Sequence, residues 1–264
     1  MEHEVLWRIG VFLGVLLVIA GLERLAPRRR LIQPKARRWA TNLGLVVIDA
    51  LTVRALALAL PILAVAAAVD AGRIGWGLFN ALDWPAWVEL VLAVLILDLA
   101  IWAQHLVTHK VPLFWRFHRV HHADRDFDVT TALRFHPVEI AASALLKVGV
   151  VYLIGPAALA VLVFEILLNA TAMFNHANLR LPAWLDRLVR LVLVTPDMHR
   201  VHHSVHRAEH DSNYGFALSV WDRIFGTYVP EPKAGQREMT VGLEWQDDRT
   251  MRLGWVLGLP FFRR

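Results

Sequence analysis

The chain has 264 residues, of which 56% are hydrophobic and only 19% charged; Lys+Arg 28 against Asp+Glu 23 leaves a net charge of +5, and the mean hydropathy is +0.44. A soluble domain carries about 25% charged residues, so the apolar excess calls for lipid as a solvent, and disorder, a coiled coil and a disulfide scaffold are excluded. With no cysteine in the chain, thiolate zinc sites, iron–sulfur clusters and Cys-x-x-Cys redox chemistry are excluded too.

The first apolar run covers residues 5–26, enough for the roughly 20 residues of a spanning helix, with Arg8 and the Glu23/Arg24 pair expected to reach toward headgroups. Acidic Glu2 and Glu4, and the lack of an Ala-x-Ala site before the arginines, argue against a cleaved signal peptide. A second run covers 43–69 and a third 87–106. The fourth, 140–173, is too long for one comfortable crossing and is interrupted at Gly155-Pro156. It predicts a bent hairpin of two helices, with a single tilted span as the alternative. Lys147, near its start, is expected to snorkel to the interface. Residues 184–194 mix Leu and Val with Asp186, Arg187 and Arg190, and read either as an amphipathic helix lying on the bilayer or as a surface helix of a cap. The predicted fold is an all-α integral membrane protein forming one domain over 1–264. It has about four membrane-embedded segments, three spans plus a bent hairpin, and a cytoplasmic helical cap.

Charge predicts the orientation. Arg28, Arg29, Arg30, Lys35, Arg37 and Arg38 follow the first span with no acid among them, whereas the loop after the second offers Asp70, Arg73 and Asp83. The positive-inside rule puts the basic loop in the cytoplasm, Met1 and the 71–86 loop outside, and the chain beyond the third span back inside. Six cations beside a span are explained by topology and anionic lipid, so no nucleic-acid partner is expected.

Histidine is the anomaly: of 13, only His3 lies outside 105–210. His105 and His109 form an H-x3-H pair. His118, His121 and His122 form H-x2-H-H, and His199, His202 and His203 repeat it, both within the pentapeptide His-Arg-Val-His-His. Spacings of three and four share one helix face. One such histidine is ordinarily a hydrogen-bonded surface residue, but eight on three short faces call for a metal. Neutral imidazole is a common ligand for zinc, copper, iron and nickel, and a structural zinc takes four ligands, so eight or more histidines imply a dimetal site. There is no H-E-x-x-H, G-x-S-x-G, Walker A loop or G-x-G-x-x-G. Within the spans, Asp49 and Arg54 are five apart, the wrong spacing for a pair on one helix face, and each is expected to find a partner on a neighbouring helix or in water. Asp98 lies seven residues before His105; Glu165 and Asn169 lie eleven and seven before His176. Each reads either as an outer partner orienting the histidine or as an interhelical polar contact.

These residues resemble the fatty acid hydroxylase/sterol desaturase superfamily. The histidine order agrees, as do Arg134-Phe-His-Pro-Val-Glu139, Phe174-Asn-His-Ala-Asn178, Thr195-Pro-Asp-Met-His-Arg-Val-His-His203, Asn213-Tyr-Gly and the tail from Leu218 to Tyr228. The resemblance covers 87–228. It implies a centre of two Fe ions that activates O2 to hydroxylate or desaturate a C–H bond of a lipid. The ligands would be His105, His109, His118, His121, His122, His199, His202 and His203, with His176 a ninth and His136 a tenth. His206 and His210 would stand behind them. Zinc would be a substitute in purified protein. The tail word reads as a structural turn with an Asp222/Arg223 pair and a bend at Gly226. Trp102, Phe114, Trp115, Phe117, Phe174 and Trp184 are candidates to line the lipid path.

No flavin fingerprint, ferredoxin cysteines or haem domain is present, so a separate electron donor of ferredoxin or cytochrome type is expected. The Ala/Leu/Arg-rich composition points to a bacterial inner membrane, with the metal site on its cytoplasmic side. Two other readings stay open at this point. A histidine-rich metal transporter or metal-binding protein would place its ligands inside the spans. A membrane zinc hydrolase would need a carboxylate base, for which Glu139, Asp197 and Glu165 are candidates.

Overall fold

Apolar length decides the elements. The computed structural model describes residues 4–58, 63–83 and 85–262, and shows thirteen α-helices and no β-strand among them. Met1 and His3 lie outside the described residues. Five helices are long and apolar enough to cross a membrane: α1 (Glu4–Leu25), α2 (Lys35–Ala57), α4 (Ala86–Lys110), α6 (Pro137–Ile154) and α7 (Ala158–Asn175). Between them lie the short α3 (Ala64–Ile74) and α5 (Pro112–His122). The rest forms a cap: α8 (Ala183–Val189), α9 (Pro196–His202), α10 (Arg207–His210), α11 (Val220–Ile224), α12 (Gly235–Glu238) and α13 (Leu253–Gly258). Leu6, Trp7, Leu17 and Val18 of α1 are all more than 60% exposed, a surface that water would penalise and lipid accepts.

The second predicted run is corrected. Its helix starts earlier, at Lys35, and stops at Ala57; α3 is a separate helix of 11 residues, about 16 Å at 1.5 Å per residue and too short to span. Residues 59–62 of that run lie outside the described residues. The hairpin expected over 140–173 is present as α6 and α7, each of 18 residues and so about 27 Å long. Gly155 ends α6 at φ +61°, a conformation glycine tolerates best. Its lack of a side chain also lets the backbone of Gly77 pack directly against it. Glu89 of α4 closes the turn by accepting the Ala157 N–H (2.5 Å).

At the opposite end, the connections between helices converge on the cap. Glu23, expected among headgroups, is instead buried and accepts the backbone N–H groups of Val129 and Asn178, both at 2.7 Å. The basic loop is likewise structural. Arg28 pairs with Asp197, Arg29 donates to the Met239 carbonyl, and Arg38 is fully buried against Asp124 and Asp128. The helix expected over 184–194 stops at Val189, although Trp184, Leu188, Leu191 and Val192 keep an exposed apolar face.

Candidate metal centre

A break in the chain builds the site. Extended Val111 ends α4, and Pro112 starts α5 in a new direction, so His105 and His109 on α4 face His118, His121 and His122 on α5. His176 caps the C-terminus of α7. Helix α9, started by Thr195, whose hydroxyl accepts the Met198 N–H, carries His199 and His202 and ends at His203.

These nine imidazoles are all buried and form two groups. His105, His109, His118, His122 and His202 make one; His121, His176, His199 and His203 make the other. Within each group, one ligand atom from every residue lies within 4.8 Å of the others. The rings approach closely: His105 Nε2 to His118 Nε2 is 3.1 Å, His121 Nε2 to His176 Nε2 is 3.1 Å, and His176 Nε2 to His199 Nε2 is 3.2 Å. Nitrogens bound to one ion at about 2.0–2.1 Å lie about 2.8–3.4 Å apart at right or tetrahedral angles.

The tautomers sharpen this test. His105 Nδ1 donates to the Tyr214 carbonyl (2.7 Å), His118 Nδ1 to Glu139 (2.6 Å), His121 Nδ1 to the Arg134 carbonyl (3.2 Å) and His176 Nδ1 to the Ala172 carbonyl (2.8 Å). With the proton held at Nδ1, the His105–His118 and His121–His176 pairs each bring lone pair to lone pair at Nε2, which repels unless a cation lies between. The His202 Nδ1–H donates to the Ser212 carbonyl (2.7 Å), and its Nε2 is buried without a hydrogen bond, as are both ring nitrogens of His122. Burial, reinforced by neighbouring imidazoles, holds His121, His122, His199, His202 and His203 far below the ordinary histidine range. The donor set is buried, closely gathered and fits metal ions.

Glu139 was foreseen only as a base for hydrolysis; here it orients His118 from behind. Such outer partners contribute about 10–100-fold to metal affinity. Glu139→Gln should therefore weaken metal retention by the five-histidine group by about that factor, read from metal content after graded chelation. Unchanged retention would refute the assigned role.

Other predicted residues stand elsewhere. His136 joins neither group: its Nδ1 accepts the Val138 N–H as the cap of α6, and its Nε2 lies 3.3 Å from the Leu257 carbonyl. His206 is exposed at the start of α10. His210 is half-buried, stacked on Trp115 (5.4 Å between centroids), and forms a third group with His109 and Asp211. Asp98 does not touch His105; it accepts the Trp221 indole N–H (2.8 Å) and the Leu218 N–H (3.2 Å), holding the segment whose Tyr214 carbonyl pins His105. Asp222 is not paired with Arg223 but accepts from Trp102, Tyr214, Gly215 and Thr227, and Gly226 makes its bend at φ +69°. Asp197, a second of the three hydrolytic candidates, is held by Arg28 and Arg200.

Glu165 and Asn169 do not reach His176. Glu165 pairs with Lys147 (2.8 Å) and Arg8 (2.5 Å), so neither cation runs to the interface, and exposed Asn169 donates to the Glu165 carbonyl. A cavity of about 610 Å³ runs from His105 and His118 down between α2, α4, α6 and α7. Its aromatic lining is Phe12, Phe135 and Phe216; none of the six aromatics expected along the lipid path lines it, because Trp102 stacks on Phe225 and Trp115 faces a separate cleft of about 390 Å³ on the cap.

Five membrane-capable helices under a cap with paired histidine groups define an integral membrane protein with a histidine-rich site that could hold metal. The sequence pattern of the fatty acid hydroxylase family matches residues 90–227, and the chain belongs to that family, as a lipid-oxidising membrane oxygenase. It is 26% identical over 244 residues to ornithine lipid hydroxylase OlsE of Rhizobium tropici, covering 91% of this chain and 72% of that one. It is 33% identical over 153 residues to alkylglycerol monooxygenase of Xenopus tropicalis (56% and 31%) and 26% identical over 140 residues to human cholesterol 25-hydroxylase (53% and 50%). The chain thus spans about a third of the monooxygenase and half of the cholesterol enzyme. No solved structure matches it.

Proposed function

We propose that the chain is a diiron enzyme that uses O2 to hydroxylate a C–H bond of a lipid, desaturation being the variant outcome of the same hydrogen abstraction. One observation carries this reading: nine buried imidazoles, grouped five and four, adjoin a cavity that lies within the membrane-capable helices and reaches His105 and His118. The names of the relatives, hydroxylases and a monooxygenase, favour oxygen insertion over desaturation. A fixed, fully buried ligand set at one end of the helices gives no support to a transporter.

Two iron ions held by these imidazoles would supply the redox chemistry for attacking an unactivated C–H bond. The chain's own contribution is positioning and dryness. Carbonyls of Tyr214, Arg134, Ala172 and Ser212, and the Glu139 carboxylate, fix the ring orientations; Phe135 and Phe216 exclude water between cavity and rings. Hydroxylation puts one oxygen atom into the lipid and reduces the other to water, consuming two electrons from a separate donor of ferredoxin or cytochrome type and two protons from solvent. Trp115 touches His109, His122 and His210 beside the cap cleft, which supports electron entry from that side. The basic loop is bound to the same end as the histidines, through Arg28 to Asp197 and Arg38 to Asp124. The positive-inside rule then supports a cytoplasmic metal site, in a bacterial inner membrane.

Lipidomics of a strain lacking the gene, grown with and without its restoration under isotopically labelled dioxygen, tests the proposal. A hydroxylated lipid that appears only on restoration and carries the label is expected. An unchanged lipidome, or stoichiometric zinc in metal-replete, natively expressed protein, would overturn it.

A further inference from the structure

The cavity beneath His105 and His118 is not lined for a bare hydrocarbon. On α6, Glu139, Ser143 and Lys147 follow one another at spacings of four and stand on one face, and all three line the cavity. Across from them, α2 contributes Asp49 and α4 contributes Gln104. Ionisable groups at such depth are costly and mark a pathway for a polar ligand.

The deep part of this lining is balanced: Glu165 takes both Lys147 and Arg8. The part nearest the histidines is not. Asp49 is 8% exposed, its Oδ1 has no hydrogen-bond partner, and no cation pairs with it among the described residues. The charge acting on it is a second carboxylate, Glu139. Glu139 is also 8% exposed, and while its Oε1 accepts the His118 Nδ1–H, its Oε2 has no partner. Gln104 adds a third oxygen, Oε1, buried and without a donor. Arg54 also lines the cavity, but it stands five residues beyond Asp49 and so about 140° around the helix, is exposed, and makes no ion pair with Asp49. Buried carboxylates without a cation are strongly unfavourable.

Three acceptors lining one cavity, two of them on carboxyl groups, match the three N–H donors of an ammonium group. A hydroxyl brings one hydrogen and no charge. We propose that Asp49, Glu139 and Gln104 form the seat of a lipid ammonium group, so that the amphiphile drawn into the cavity carries an amine. The identification of that amphiphile as the substrate rests on the oxygenase reading; the recognition itself does not.

The full chain, in nanodiscs, is titrated with lysophosphatidylethanolamine and with lysophosphatidylglycerol of the same acyl chain, binding being read by native mass spectrometry without turnover. The wild-type chain should bind the ethanolamine lipid tenfold or more tightly. Asp49→Asn should abolish that preference while leaving glycerol-lipid binding and metal content in place, and Gln104→Leu should reduce it about threefold, the loss of one weak partner. Equal binding of the two lipids by the wild type, or a preference kept in both variants, overturns the proposal. A chain that keeps the preference yet oxidises no lipid would sink the oxygenase reading and leave the ammonium seat intact.

Discussion

A His199→Ala chain, produced in iron-replete cells, is expected to carry about one iron ion where the proposed centre of the wild type would carry two, and to form no detectable oxidised lipid. His199 is one of four imidazoles in its group, and its Nε2 lies 3.2 Å from that of His176. Its loss leaves three ligands, and the penalty should exceed the 10–100-fold typical of losing an outer partner. His202→Ala should deplete the other group instead, because its Nε2 points, without any hydrogen bond, among His105, His109, His118 and His122. His136→Ala is the contrast. Its ring caps α6, so the variant should lose about 0.5–2 kcal/mol of stability and still hold both ions. Elemental analysis by mass spectrometry, together with lipid product, reads all three. Iron lost from His136→Ala as completely as from His199→Ala would show that the ligand set has been drawn wrongly.

The contrast also shows where the sequence was legible. His118, His121 and His122 could be assembled from spacing alone, since three and four residues return to one helix face, and the same word at 199–203 doubled the signal. The Gly155-Pro156 break was equally visible, because those residue types end helices for local reasons. Direction beyond a helix end was not visible. His136 follows His122 by a loop whose course no spacing reveals, and it stands before Pro137 as the N-cap of α6, outside both histidine groups. Arg8, Lys147 and Glu165 were each read against their own helix, as interface seekers or as a partner of His176. Their true relation, one carboxylate shared by two cations from α1 and α6, exists only once three helices pack. The aromatic candidates failed for the same reason, being chosen for proximity in sequence to the histidines while the cavity draws Phe12 from α1 and Phe216 from the cap. Asp124, Asp126 and Asp128 look like a solvated acidic loop, yet Arg38 lies 86 residues from the first of them and all three are buried.

That buried arginine should be the most sensitive structural position outside the metal ligands. Arg38 donates from Nε and Nη2 to the two oxygens of Asp124, both at 2.8 Å, and from Nη1 to Asp128 at 2.7 Å. The loop so fixed leads directly out of α5, and Thr130, Thr131 and Asn42 complete its hydrogen bonding. Arg38→Met leaves two carboxylates buried without a cation and should cost about 3–5 kcal/mol, measured as a lowered unfolding midpoint of the full chain in detergent. Arg38→Lys should recover little, because an ammonium cannot make the two parallel bonds. Acid separates this charge effect from simple loss of packing. Burial alone would raise the Asp124 carboxyl, but Arg38 outweighs it and holds the group at about 2, below its ordinary 3.8. The folded wild type therefore binds fewer protons here than the unfolded chain. The pair's stabilisation is complete above about pH 4 and fades as the pH falls toward 2. Without Arg38, burial wins and the carboxyl rises, so protonation favours the folded variant. The stability gap between wild type and Arg38→Met should accordingly shrink as the pH is lowered from about 6 to about 3. A gap that stayed constant over that range would mean that the guanidinium acts by filling space rather than by pairing its charge.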